Sequence, residues 1–141
     1  MLICVHIHIS LLTRIDVVMS LTDKQFQLHL LSNSDDRILN VLNDLKLLYN
    51  FKSINLSYNL NYEKPDINLF KTAINNNDLS EFKNYYVGDD INNDYYSIMN
   101  YKNLISPILF HNDLYHKPIN SIDLNRVNFI SNLNDLMSKL I

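Results

Sequence analysis

Residues 3–9, Ile3-Cys4-Val5-His6-Ile7-His8-Ile9, alternate between apolar and other side chains with a period of two. That period sets Ile3, Val5, Ile7 and Ile9 on one face and Cys4, His6 and His8 on the other, the pattern of a half-buried strand. A strand cannot stand alone, because its backbone N–H and C=O groups need partners. The one comparable stretch is residues 54–62, where Ile54, Leu56, Tyr58, Leu60 and Tyr62 alternate with Asn55, Ser57, Asn59 and Asn61. With helices between them, the two segments would make a parallel pair joined by a right-handed crossover. The rival for residues 54–62 is an extended loop packed across helices.

Outward from these two stretches the signals are helical. Thr22 and Gln25 form a capping-box pattern ahead of Phe26, Leu28, Leu30 and Leu31. Ser34, Asp35 and Asp36 open a helix whose face is Ile38, Val41, Leu42, Leu45 and Leu48. Pro65 suits the first turn of another, carrying Ile67, Phe70 and Ile74. Asn75-Asn76-Asn77 breaks that helix, and Asp78 caps one with Leu79, Phe82 and Tyr86. Gly88-Asp89-Asp90 is the strongest turn in the chain. Tyr95, Ile98 and Met99 suggest a short helix ended by Pro107. Ser121 or Asp123 opens a last one with Phe129, Ile130, Leu133, Leu136, Met137 and Leu140. The expected fold is therefore mainly α, a small bundle of about five helices with room for a two-strand element at residues 3–9 and 54–62. Capping and helical periodicity begin near Met19. Residues 1–18 are thus expected to be an N-terminal extension or edge strand, dispensable for a single helical domain over 19–141.

Composition narrows the function. The 141 residues hold 12 Lys and Arg against 15 Asp and Glu, a formal charge of -3 with no basic run, which argues against nucleic acid as a partner. No stretch reaches the ~18 consecutive apolar residues of a membrane span. Residues 1–12 lack the basic and small-residue features of a signal peptide. Cys4 is the sole cysteine, so no internal disulfide forms and an intracellular setting is expected. The 22 Asn mostly punctuate apolar positions, which points to an A/T-rich genome.

Candidate chemistry is sparse. His111, Asp113 and His116 join residue types that bind zinc or exchange protons near neutral pH, but the two histidines diverge on a helix. Asp90, Asn92 and Asp94 alternate as in the opening of an EF-hand loop. Tyr95 and Tyr101 stand where that loop needs Gly and Glu. Gly88 is the only glycine, so a Gly-rich phosphate loop is ruled out, and neither cofactor nor metal is expected. Tyr85, Tyr86, Tyr95, Tyr96 and Tyr101 crowd around the Gly88 turn, and tyrosine offers contact area at little entropic cost. The leading expectation is a non-enzymatic protein-interaction module, an adaptor or small subunit of a larger assembly, that meets its protein partner through those rings. The alternatives are a small hydrolase or metal-dependent enzyme using His111, Asp113 and His116, and a virus-encoded helical-bundle modulator of a host protein.

Overall fold

A computed structural model describes residues 3–8, 15–23, 26–111 and 127–140. Its strands are β1 (Ile3–Ile7), β2 (Gln27–Ser32), β3 (Ser53–Leu56), β4 (Lys83–Gly88), β5 (Ser106–Phe110) and β6 (Phe129–Ile130). All pair in parallel, in the order β3-β2-β1-β4-β5-β6. The helices are α1 (Ile15–Asp23), α2 (Arg37–Asp44), α3 (Ser57–Leu60), α4 (Ile67–Asn76) and α5 (Leu136–Lys139), with a π-helical turn at Ile91–Tyr96. Among the described residues no helix is long and apolar enough to cross a membrane.

This is an α/β architecture, and it overturns the expected mainly-α bundle. The error has a physical cause. Strands of a parallel sheet covered on both faces are apolar on both sides, so they lose the alternation that marks a half-exposed strand. Leu28, Leu30 and Leu31 extend β2 instead of following the Thr22 cap into a helix, and all three are buried. Leu79, Phe82 and Tyr86, spaced as on a helix, fall on a turn and then on β4. The C-terminal stripe divides into β6, a 3-10 turn at Leu133–Asp135 and α5.

Residues 3–7 do form a strand, but β1 lies between β2 and β4 in mid-sheet, not at an edge. Its neighbour is not residues 54–62: β3 ends at Leu56 and pairs with β2, from His29↔Ser53 to Ser32↔Leu56. The chain then turns into α3, where the Tyr58 N–H and the Ser57 hydroxyl both donate to the Ser34 carbonyl, at 3.3 and 3.4 Å.

Alternation along β1 and β4 feeds two core layers. Val5, Ile7, Tyr85 and Val87 pack with Leu21 of α1, Ile38 and Leu42 of α2, and Leu136 of α5. Cys4 and Tyr86 pack on the opposite face with Leu69, Phe70, Ala73 and Ile74 of α4. A polar seam crosses the second face. The rings of His6 and His29 stack with centroids 4.9 Å apart, and both residues are buried. The Asn84 amide N–H groups are committed to the Leu79 and Phe82 carbonyls, so Asn84 Oδ1 accepts from His6 Nε2 at 2.9 Å. His6 is thereby a neutral Nε2–H tautomer. His29 Nδ1 lies 2.6 Å from Ser53 Oγ.

Burial pushes His6 down to about 4. Burial, then the charges of His6 and Lys52, push His29 down to about 3. Both imidazoles are neutral in the folded chain and take up a proton near pH 6.5 when it unfolds. Their contribution is complete above pH 6.5 and is lost as the pH falls, by up to about 1.4 kcal/mol per pH unit for each ring until pH ~4. Thermal unfolding followed from pH 7.5 to 5 should show a falling midpoint. In His29→Phe, which keeps a stacked ring but removes one titrating group, the slope should become shallower. The position of β1 gives a second outcome. A chain begun at Met19 leaves the inner edges of β2 and β4 without a partner, so circular dichroism should find no cooperative thermal transition.

Candidate functional site

In an open parallel sheet the strand order reverses at one point, and the loops at the carboxyl ends of the flanking strands part there to leave a crevice. Here β2 and β3 lie to one side of β1 and β4 to β6 to the other, so the reversal falls between β1 and β4. His8 follows β1 and extends its ladder, its N–H donating to the Val87 carbonyl at 3.0 Å. Ser32, Asn33 and Ser34 end β2, and Gly88, Asp89 and Asp90 end β4.

Lys64, in the loop before α4, is the centre of the arrangement. Its side chain is 2% exposed, and Nζ lies 2.5 Å from Asp94 Oδ1 and 2.9 Å from Tyr86 Oη. The Tyr86 hydroxyl donates onward to the Leu31 carbonyl at 3.1 Å. Asn33 clamps the Lys64 backbone on both sides, accepting from its N–H at 2.8 Å and donating to its carbonyl at 3.1 Å. The other oxygen of Asp94 accepts the backbone N–H groups of Asp89 and Asp90, each at 3.0 Å. Asp90 caps the π-helical turn by accepting from the Asn92 and Asn93 N–H groups, which carries Asp94 back towards β4. Gly88 is required by this return: a Cβ there would overlap the Asp94 carboxylate.

Asp89 and His8 flank the pair, with His8 Nδ1 3.7 Å from Asp89 Oδ1. One ligand atom each from His8, Asp89 and Asp94 falls within 4.8 Å of the others, a group able to face a metal ion. Burial and then the Lys64 ammonium hold His8 below the usual imidazole range, against the pull of the three aspartates. Ser32 is buried at the end of β2, and its Oγ has no hydrogen-bond partner among the described residues. The crevice thus combines an ammonium, a hydroxyl, an imidazole and a carboxylate, enough to grip an anion and to move a proton.

The residues singled out from sequence land elsewhere or in other roles. His111 ends β5, buried, its N–H donating to the Ile130 carbonyl at 2.9 Å; Asp113 and His116 lie outside the described residues. Tyr85 and Tyr86 point to opposite faces of β4 and both are buried, since a central strand has no open face. Tyr95 is also buried, its Oη accepting the Asn128 N–H at 2.7 Å. Only Tyr96 and Tyr101 of the five are exposed, at 37% and 39%. Asp90 and Asp94, set aside as a failed calcium loop, are the cap and the ion-pair partner. Lys64, Ser32, Asn33 and Asp89 were missed. Their signal was the sole glycine followed by two aspartates, legible as a strand end only once Lys83–Gly88 is read as a strand.

The model of the family described as haloacid dehalogenase-like hydrolase matches residues 8–100, a span that holds His8, Ser32, Asn33, Lys64 and Gly88 to Asp94. Among solved structures, YfnB of Bacillus subtilis, named as a HAD-hydrolase and solved bound to magnesium, is 20% identical with a TM-score of 0.71. The match covers 89% of this chain and 54% of that one. A HAD phosphatase from Thermococcus onnurineus is 19% identical over 89% of this chain and 55% of that one, with a TM-score of 0.72. The chain therefore spans about half the length of these two proteins. It spans 93% of the core domain of a Streptococcus pneumoniae TIGR4 protein named as a phosphoglycolate phosphatase, which covers 89% of this chain at 20% identity and a TM-score of 0.60. No protein of curated function matches the sequence. These likenesses agree with the sheet order and overturn the non-enzymatic adaptor or complex subunit, and the helical-bundle modulator falls with the bundle itself. The hydrolase alternative fits in class. By the match over residues 8–100, the chain belongs to the haloacid dehalogenase-like hydrolase family.

Proposed function

We propose that this chain carries the hydrolytic site of a phosphomonoesterase, with Lys64 as its anion-stabilising group. The observation that carries this reading is the buried Lys64–Asp94 pair at the strand-order reversal, beside His8 and Asp89. Hydrolysis of a phosphate ester loads negative charge onto the phosphoryl oxygens, and fixed positive charge and hydrogen-bond donors aimed there lower the barrier. Lys64 supplies the charge, held in place by Asp94, Tyr86 and Asn33. Ser32 Oγ offers a donor to a phosphoryl oxygen. In the absence of a cation, His8, held below the usual imidazole range chiefly by burial, and Asp89 beside it would take up the proton of an attacking water. The phosphatase names carried by two of the similar structures support the same substrate class.

A divalent cation fits beside these groups, and His8 and Asp89 would hold it, because both oxygens of Asp94 are already engaged. Imidazole with carboxylate suits a borderline ion such as zinc better than magnesium, which favours oxygen ligands. Such an ion, when bound, polarises a phosphoryl oxygen.

Release of phosphate from an aryl phosphate in the presence of zinc should be measurable for the full chain. Lys64→Met should lower the rate by roughly 10²- to 10³-fold, the usual effect of removing one oxyanion-stabilising donor. Equal rates for Lys64→Met and the parent chain would remove the basis of this reading. Gly88→Ala should act at a distance. The added methyl displaces Asp94 and with it Lys64, so activity should fall by a similar factor. Stability measured by urea unfolding should drop by about 1–3 kcal/mol, the usual cost of overpacking.

A further inference from the structure

We infer that the substrate's leaving group is a neutral, ring-bearing alcohol of nucleoside type, seated in a groove beside Lys64; this rests on the phosphomonoesterase reading above. The groove runs between α2, α3 and the loop that delivers Lys64, with a cavity volume of about 800 Å³. It is tied to the crevice by two of its lining residues: Glu63 precedes Lys64 in the chain, and Asn33 clamps the Lys64 backbone. We take that shared lining as the route by which an ester held at Lys64 places its organic part in the groove.

Size and charge select among alcohols. A groove of this volume suits a ligand the size of a nucleoside and is several times what a two-carbon acid such as glycolate would fill. Asp35 and Arg37 neutralise one another as an ion pair at 2.8 Å, which leaves Glu63 as the uncompensated charge of the lining among the described residues. A leaving group with its own carboxylate would be repelled, and a neutral one would not. The walls are made for a ring. Tyr58 and Tyr62 line the groove and are 67% and 41% exposed, with Ile38 and Val41 of α2 adding apolar surface. Large aromatic side chains left in water beside a polar crevice offer stacking faces that accept any base.

The test separates the groove from the hydrolytic reading. Adenosine binding to the full chain is followed by ligand-observed NMR, and hydrolysis of adenosine 5′-monophosphate is compared with that of glycerol phosphate. The expected result is adenosine binding that weakens roughly tenfold in Tyr58→Ala and Tyr62→Ala, is kept in Tyr58→Phe, and is unchanged in Lys64→Met. The tyrosine variants should raise KM for the nucleotide and leave glycerol phosphate untouched. Both tyrosines are exposed, so the variants should unfold at the parent temperature. Tyrosine-dependent adenosine binding without hydrolysis of either ester upholds the groove and overturns the hydrolase. Hydrolysis of glycerol phosphate without adenosine binding, or with binding indifferent to both tyrosines, overturns the groove and leaves the hydrolase standing. Absence of both binding and hydrolysis overturns both.

Discussion

Taking an ammonium out of water costs several kcal/mol unless a counter-charge and further hydrogen bonds are built around it, and Lys64 is 5% exposed as a residue. Much of the carboxyl end of the sheet is arranged to meet that cost. Asp94 supplies the charge, Tyr86 a hydroxyl, and Asn33 fixes the backbone from which the side chain departs. Each support comes from a different element: the π-helical turn, β4 and the end of β2. Losing any one of these elements leaves a buried charge short of partners, so the site acts as a clasp across the strand-order reversal as well as a place for chemistry. The demand reaches Gly88, where a side chain would occupy the position of the Asp94 carboxylate.

The same face of the sheet carries a polar seam with another logic. His6, His29, Ser53, Asn55, Asn77 and Asn84 are linked or stacked beneath the loops and α4, some distance back from the strand ends. Nearly every donor in it has an acceptor. Asn55 donates to the Leu30 carbonyl and to Ser53, and Asn77 donates to Asn55 and to the Ala73 carbonyl. A seam of directional bonds fixes register where apolar contact alone would tolerate slippage. In a sheet of short strands, that is a physical reason for Asn at positions that composition alone assigns to genome bias.

Sequence periodicity recovered the elements that behave as isolated amphipathic units. α2 forms where Ile38 and Leu42 mark its buried stripe, and α4 where Phe70 and Ile74 do. β1 shows its alternation because Cys4, His6 and His8 differ in polarity from Ile3, Val5 and Ile7. It failed wherever burial on both faces erased the contrast, as in β2 and β4, and where apolar residues three or four apart crossed a turn, as from Leu79 to Tyr86. The site went unread for the same reason. A functional residue in an open α/β sheet is defined by its place at a strand's carboxyl end, and that place has no meaning until the strand is recognised. Lys64 carries no periodic signal at all; only its packing against Asp94 and Tyr86 distinguishes it from a surface lysine.

Tyrosine illustrates how far position outweighs residue type. Tyr86 and Tyr58 share one side chain, yet one is enclosed with its hydroxyl between Lys64 and the Leu31 carbonyl, and the other stands 67% exposed. In Tyr86 the ring packs edge-on against Phe70 and the hydroxyl completes the coordination of a charge, so the residue positions Lys64 without facing solvent. Among the described residues no ring packs against Tyr58, and its apolar surface is stabilised only when something covers it. The crowding of Tyr85 to Tyr101 around the Gly88 turn suggested a contact surface, but three of those five rings are buried under helices and neighbouring strands. The tyrosines that face water along the groove, Tyr58 and Tyr62, are separated from that cluster in sequence and share the groove's lining with Glu63, the chain neighbour of Lys64. Exposure beside the groove, and not density along the chain, is what leaves aromatic surface open to a ligand here.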